Sequence, residues 1–292
     1  AVLGTRPTGQ VRVQVRDSLS GALVANIFYG DAYSAIDLAV VPDTNGNGFV
    51  EFAVLGKNSA GGIRVQARDP EFNIATSTTY YGDNTDPIDV HVLPDFSGNG
   101  QPEIAVHARV IATGQSRAQI RDTASGALVS QVFFGSAYDP VHMALIGDIT
   151  GDGLPELAQL GRRSDTGAIR VRIKSPTGGA TIANAFLGSG DFPVRVVGIG
   201  DANSSGSPDI AVLVERPDGP GLVRVRDGAT GAQINNIFMG SISSPEWLAV
   251  IDDLNSSGNA ELAGRGDDGS GVPRVQVRDS VSGVQINTID YP

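Results

Sequence analysis

The sequence predicts an all-β fold, a β-propeller of about six blades, and three observations carry that reading. One is a period of 52 to 53 residues. The segment ending at Asp17 returns with ends at Asp69, Asp122, Ser175, Asp227 and Asp279, and a fixed spacing of this size marks a repeat architecture. The next is composition: with 38 Gly and 16 Pro among 292 residues and 40% hydrophobic content, the chain has too many turn formers for a helical bundle and too much apolar matter for disorder. The last is that each period holds four short apolar or alternating runs split by turn signals, with no 3.6-residue apolar pattern sustained over ten residues. A parallel β-helix is the rival, but its coils are usually shorter and lack regular hairpin turns, so the propeller is preferred.

The elements follow in order within a period. Ile36 to Pro42 is nearly all apolar and reads as a strand covered on both faces. Glu51 to Gly56 places Ala third, and Ala53, Ala105, Ala158, Ala211 and Ala263 keep that position, which predicts close approach of neighbouring sheets. Val11 to Arg16 alternates strictly, and Ser18 to Gly21 then supplies a tight turn in which Gly accepts positive φ cheaply. The fourth run ends in an aromatic pair and Gly: Phe28-Tyr29-Gly30, Tyr80-Tyr81-Gly82 and Phe133-Phe134-Gly135, softening to Phe186-Leu187 and Phe238-Met239, with Tyr291 in register. Nine of the 17 aromatic residues fall in these two columns, and both columns are expected to plug the core between repeats.

We therefore expect one domain over 1–292, in units of about 1–30 (partial), 31–82, 83–135, 136–188, 189–240 and 241–292. Ala1 to Gly4 matches Ala53 to Gly56, so the opening blade is expected to lack its innermost strand. Either the ring closes with one thin blade or these residues belong to a longer array.

Charge narrows the function classes. Acids outnumber bases, 32 to 21, for a formal net charge of −11, which repels nucleic acid and anionic membrane surfaces. There is no Cys, which removes disulfides, thiolate metal sites and Cys nucleophiles. No run approaches eighteen apolar residues and no basic-then-apolar leader opens the sequence, so neither membrane insertion nor a signal peptide is expected within it; an export signal would lie upstream of Ala1. Thirteen of the 21 cations occupy the polar side of the third strand, at Arg12 and Arg16, Arg64 and Arg68, and their counterparts. Because every repeat has them, they are expected to lay their stems over the adjacent blade and pair with carboxylates, rather than form an anion-binding ring.

The acidic loops carry recognisable chemistry. Between the first and second strands of each repeat, a nine-residue loop offers oxygens at positions one, three, five and nine, Gly at six, and a backbone carbonyl at seven. The candidate ligands are Asp43, Asn45, Asn47, Phe49 and Glu51; Asp95, Ser97, Asn99, Gln101 and Glu103; Asp148, Thr150, Asp152, Leu154 and Glu156; Asp201, Asn203, Ser205, Ser207 and Asp209; and Asp253, Asn255, Ser257, Asn259 and Glu261. Hard oxygen donors in that number suit Ca²⁺ better than a transition metal. Carboxylate count ranks the Asp148 loop first, with three against two in each other loop. The competing reading is a set of metal-free Asx turns with the first Asp capping loop amides.

With its aromatic-Gly ending, following apolar strand and Asp-rich loop, the chain resembles the FG-GAP repeats of the integrin alpha-subunit propeller and of many bacterial surface proteins. The resemblance spans almost the whole chain. It implies Ca²⁺ in hairpin loops and an extracellular, cell-surface or periplasmic module serving adhesion or binding of a protein or glycan, not catalysis. The family loop, Asp-x-Asp-x-Asp-Gly-x-x-Asp, is departed from at position three, here Asn, Ser, Thr, Asn and Asn, and at position nine, mostly Glu. A purely structural Ca²⁺-stiffened scaffold and a polysaccharide-active enzyme are the alternatives.

No Gly-x-Ser-x-Gly elbow, His-Glu-x-x-His or phosphate loop occurs, and His91, His107 and His142 read as packing or surface residues. One column does vary from blade to blade, as a binding surface needs: Asp37, Asp89, His142, Arg195 and Trp247, each near the start of an innermost strand. Trp247, with Glu246 beside it, has the chemistry to stack on a sugar ring, but the preferred reading of a lone large aromatic is that it fills a gap at the blade interface.

Overall fold

Alternation of apolar and polar residues fixes which face of each strand is buried, and Gly-rich turns fold each strand back on the last. The computed structural model, which describes residues 1–291, is accordingly a six-bladed β-propeller. Its first sheet has three strands, β1 (Val2–Thr5), β2 (Val11–Arg16) and β3 (Leu23–Gly30). The second holds β4 (Ser34–Val41), β5 (Glu51–Lys57), β6 (Ile63–Arg68) and β7 (Ala75–Gly82); the third β8 (Thr85–Leu93), β9 (Glu103–Val110), β10 (Ser116–Asp122) and β11 (Leu128–Gly135). The fourth comprises β12 (Asp139–Ile146), β13 (Glu156–Arg162), β14 (Ile169–Lys174) and β15 (Thr181–Phe186). The fifth comprises β16 (Phe192–Ile199), β17 (Asp209–Arg216), β18 (Gly219–Arg226) and β19 (Gln233–Phe238), and the sixth β20 (Ser243–Ile251), β21 (Glu261–Asp267), β22 (Pro273–Asp279) and β23 (Gln285–Asp290). The opening blade thus has the three strands that the sequence implies. The chain divides into two compact units, Ala1–Phe133 and Phe134–Pro292.

Within each unit, apolar layers form where one blade's strands face the next. In the first unit Leu55, Ile63 and Val65 pack with Val90, Ile104 and Val106. In the second, Leu160, Ile169 and Val171 pack with Val196, Ile210 and Val212, and Leu213, Val223 and Ile237 pack with Leu248 and Leu262. Of the Ala column, Ala53, Ala158 and Ala211 lie in these layers; they and Ala105 have no exposed surface, and Ala263 keeps 9%. A larger side chain there would separate the sheets.

The aromatic pair is only half core. Tyr29, Tyr81, Phe134, Leu187 and Met239 are buried, whereas Tyr80, Phe133, Phe186 and Phe238 are 41 to 63% exposed. Strand alternation is the reason: consecutive side chains point to opposite faces, so only one of two adjacent aromatics enters the layer. The cation column also differs from expectation. Arg16, Arg68, Arg121, Lys174 and Arg278 donate to the carbonyl oxygens of Gly21, Asn73, Gly126, Gly179 and Gly283, at 2.6 to 2.8 Å. The turn five residues ahead presents a carbonyl within reach before any carboxylate does. Ion pairs to carboxylate remain for Arg224 with Asp191 and Arg274 with Asp290.

Candidate functional site

Each acidic loop is built around its first carboxylate. Asp43 Oδ1 accepts from the Gly46 amide at 2.7 Å and Oδ2 from the Gly48 amide at 2.6 Å. Asp95 bonds Gly98 and Gly100 alike, and Asp148 bonds Gly151 and Gly153. The bond from the sixth-position Gly amide is foremost in holding Asp43, Asp95, Asp148 and Asp253 below the ordinary carboxylate range. Position nine closes the loop from the other side. Glu51, Glu103, Glu156, Asp209 and Glu261 are fully buried and accept from the amides of Thr44, Phe96, Ile149, Ala202 and Leu254. The seventh-position amides of Phe49, Gln101, Leu154, Ser207 and Asn259 bond the side-chain oxygen at position five.

Position five separates the loops into two kinds. Asn47 and Asn99 donate their amide protons to Asp69 and Asp122. Ser257 donates to Asp279 at 2.8 Å, and in the fifth blade the donor to Asp227 is Asn203 of position three, at 3.0 Å. Those four Asp residues end the third strand of their blades or directly follow it, and also accept from the amides of Phe72, Ser125, Thr230 and Ser282 in the next hairpin. Each therefore ties an acidic loop to a turn. The fourth blade has Ser175 at this place and Asp152 in the loop. Every complete blade thus gathers three carboxylates. In four of them the third belongs to the strand end and meets a neutral donor, and in the fourth blade it sits in the loop itself. Oxygens of Asp148, Asp152 and Glu156 all lie within 4.8 Å of one another, the one such grouping of three acidic or imidazole ligands among the described residues. That donor set fits a hard cation such as Ca²⁺. Sequence reading ranked this loop first but left out Asp69, Asp122, Asp227 and Asp279; the reciprocal exchange of Asp and neutral residue between position five and the strand end was the available signal.

The members of the variable column at the innermost strands have different surroundings. Asp37 is half-buried, and its Oδ2 accepts from the Val90 amide at 2.9 Å. Burial is the main reason its carboxyl is pushed up. Asp89 is 4% exposed; it receives His107 Nδ1 at 3.2 Å and His91 Nε2 at 3.0 Å. Burial opposes its ionisation, but the two imidazoles outweigh burial and hold it far below the usual range. His107 Nε2 in turn lies 3.0 Å from Ser116 Oγ. An Asp-His-Ser chain is the order of a nucleophile relay, yet His107 and Ser116 have no exposed surface, so no substrate reaches them in this conformation. The sequence reads all three histidines as packing or surface residues and does not pair them. Period-two alternation puts Asp89 and His91 on one face of β8, and Asp89 stands directly opposite His107 on β9.

His142 is half-buried on β12, opposite Leu160. Arg195 and Trp247 do come together, the guanidinium carbon 5.4 Å from the ring centroid. Trp247 is 43% exposed and stands opposite Arg265. Glu246, Trp247, Ala263, Arg265 and Val275 line a cavity of about 430 Å³, and Arg265, Pro273, Val275 and Tyr291 line a neighbouring one of about 390 Å³. Arg265 meets Glu246 at 3.6 Å, longer than a hydrogen bond. Its column holds buried Leu55, His107, Leu160 and Leu213 in the other complete blades.

No protein-family model matches the chain, and no curated protein matches it. Solved structures do. A hydrazine synthase from Kuenenia stuttgartiensis superposes with a TM-score of 0.67 at 14% identity, over 98% of this chain and 85% of that one. The rhamnogalacturonan lyase PL11 of Bacillus licheniformis gives 0.55 at 15% identity over 97% of this chain, which spans 59% of the lyase. BBS1N, solved in complex with ARL6DN, gives 0.57 at 13% identity, covering 91% of this chain and 74% of that one. At such identities the likeness is one of fold.

Proposed function

We propose that this propeller is a non-catalytic, extracellular ligand-binding module, stiffened by Ca²⁺ in the Asp148 loop, that engages a protein or glycan through the cleft at Trp247. The observation that carries this reading is the break in blade symmetry: the column of Asp37, Asp89, His142, Arg195 and Trp247 changes chemistry from blade to blade, and opposite Trp247 stands Arg265 where three other blades bury Leu55, Leu160 and Leu213. A scaffold repeats its packing, and a binding site departs from it. The fold neighbours lend support in kind. One was solved bound to a partner protein and one is named for cleaving a polysaccharide.

The Asp148 loop supports the Ca²⁺ part. Asp148, Asp152 and Glu156 would hold the ion, which would neutralise their charge; in the other loops the third carboxylate is instead met by Asn or Ser hydrogen-bond donors. Those neutral donors are the physical reason to assign metal to this loop alone. Affinity of about 10⁻⁴ M, in the range of extracellular modules, gives about 1.5 kcal/mol at 1–2 mM Ca²⁺. A rise in Tm of roughly 2–5 °C is expected on adding Ca²⁺ to chelated protein, and none in Asp152→Asn. A calorimetric titration with no heat in the unaltered protein removes the Ca²⁺ part. The ligand-binding part is tested on arrays of glycans and extracellular proteins, probed with the protein and with Trp247→Ala. Binding that survives the substitution unchanged refutes the cleft as the site.

A further inference from the structure

We infer that the junction of the second and third blades holds a separate ligand site, a hydroxyl-lined cavity that takes one neutral sugar residue. It shares no residue with the Trp247 cleft and goes beyond the function proposed above.

The first observation is a repeated bulge with one altered member. Where the fourth strand of a blade begins, one of its residues is skipped in the pairing with the third strand. The skipped residue is Val24, Ile182, Ile234 or Ile286 in four blades, and Thr76 in the second. The period puts Val129 at the same place in the third blade. Thr76 Oγ1 is buried and has no hydrogen-bond partner among the described residues. A buried hydroxyl left unpaired where every other blade has a branched alkyl group calls for a reason.

The second observation is the space beside it. Thr76 borders a cavity of about 280 Å³ together with Thr44, Ser77, Gln101, Thr123 and Ala124. All six belong to the first compact unit, and they come from two blades adjacent in the chain. In the second unit the matching places are filled. Ile149 and Ile182, at the places of Thr44 and Thr76, pack against the apolar layer between the fourth and fifth blades. Ile149 Cδ1 lies 3.2 Å from where Gly228, the counterpart of Thr123, would carry a Cβ. Between the fifth and sixth blades Ala202 and Ile234 pack in the same way, and Asn235 Nδ2 crosses to the Val281 carbonyl at 2.6 Å. Ser77 and Ala124 stand at the two ends of that crossing here, and Ser is one atom shorter than Asn. The junction has exchanged apolar filling for hydroxyls.

Chemistry then selects the ligand. Four hydroxyls and one primary amide line the cavity, each able both to donate and to accept, and none of the six residues is charged. Thr123 donates to the Pro102 carbonyl at 2.7 Å, which fixes its oxygen as an acceptor. An anion meets no cation there, and Asp43 and Asp122 adjoin Thr44 and Thr123 in the chain, so anions are repelled. A cation finds those two carboxylates already engaged, Asp43 by the Gly46 and Gly48 amides and Asp122 by Ser125 and Asn99. A small neutral molecule dense in hydroxyls satisfies the lining, and a pyranose is one. The volume, about that of nine liquid waters, suits a single ring. A turn about χ1 exchanges the Thr76 methyl and hydroxyl, so a bound ring supplies the partner that Oγ1 lacks.

Saturation-transfer NMR of the intact protein with glucose, galactose, mannose and N-acetylglucosamine is expected to show saturable, millimolar binding of at least one of them. Glucuronate and galacturonate are expected to bind at least about tenfold more weakly than their parent sugars. Thr76→Val removes the hydroxyl at constant shape. It is expected to weaken the bound sugar about 2- to 10-fold, the worth of one neutral hydrogen bond, while Tm holds or rises because an unpaired polar group is gone. Thr44→Ile with Thr76→Ile rebuilds the filled junction of the fourth and fifth blades and is expected to abolish binding; if that pair lowers Tm, Gln101→Ala gives the reading in its place. No sugar bound at millimolar concentration means that the cavity holds water only, and overturns the inference. Binding untouched by the Ile pair, or by Gln101→Ala where it stands in, puts the sugar elsewhere and overturns it too, and a uronate bound as tightly as its parent overturns the neutral class. Trp247→Ala is expected to leave this binding unchanged. Loss of binding in that variant alone refutes this site and leaves the Trp247 cleft standing.

Discussion

Two carboxylates in the same column, Asp37 and Asp89, differ in sign. Burial raises Asp37, assisted by the nearby Asp89 charge and eased by the Val90 and Leu38 amides and His91. A raised carboxyl contributes stability that is complete below its unfolded pKa, about 3.9, and lost as pH rises through the folded value. Asn keeps the acceptor for Val90 without the charge, so Asp37→Asn is expected to leave Tm unchanged or raise it at pH 7. Asp89 is depressed, so its contribution is complete above about pH 4 and falls away only as the pH drops toward its folded value. Removing the charge between two imidazoles strands them, and Asp89→Asn is expected to cost about 2–4 kcal/mol at pH 7. Thermal melts of both variants from pH 3 to 7 check this; equal effects would refute the network. The sequence showed these residues as members of a column and did not show the inversion. The environment of Asp89 comes from His91 on the same strand and His107 on the next, and that of Asp37 from burial beside the Val90 amide; only the strand register brings these groups together.

At the scale of the loop, backbone conformation sets a second test. Gly46, Gly98 and Gly151 occupy position four with φ near 80°, while the fifth and sixth blades place Ser204 and Ser256 there at φ 59° and 61°. A left-handed Ser costs roughly 1 kcal/mol against Gly. Ser204→Gly and Ser256→Gly are each expected to stabilise by about 0.5–1 kcal/mol in denaturant unfolding; destabilisation would mean that the hydroxyls carry contacts of greater worth. The exchange of charge between loop and strand end is tested in the same elements. Asp152→Asn with Ser175→Asp rebuilds the arrangement of Asn99 and Asp122, and should leave a fold of equal stability whose melting no longer responds to Ca²⁺. Strand order, hairpins and loop positions were all legible from the period, because turn Gly and alternating residues act locally. The tether to Asp69 and its counterparts was less visible, since it joins residues 22 to 24 apart. No local pattern announces such a contact.

Across the whole molecule, repetition supplies the control that a single-copy fold lacks. One structural column can be substituted blade by blade, and the cost compared against a shared geometry. Leu55, Leu160 and Leu213 have no exposed surface, and truncating each to Ala should cost about 2–5 kcal/mol through lost burial and a residual cavity. Arg265 stands at the same position with its side chain over half exposed. If it serves a ligand, Arg265→Ala should cost less than about 0.5 kcal/mol in stability, as exposed substitutions do, while reducing affinity. A cost matching the Leu series would instead make Arg265 part of the packed layer and remove the cleft as a binding site. Denaturant unfolding of the four variants decides between these outcomes. The column of Asp37, Asp89, His142 and Arg195 changes chemistry at Trp247 in the sequence, and the strand register sets Arg265 opposite it. Arg265 was hidden because an Arg in a strand reads as an outward-facing residue; only its register against Leu55, Leu160 and Leu213 marks it as a cation placed where the scaffold would otherwise bury a leucine.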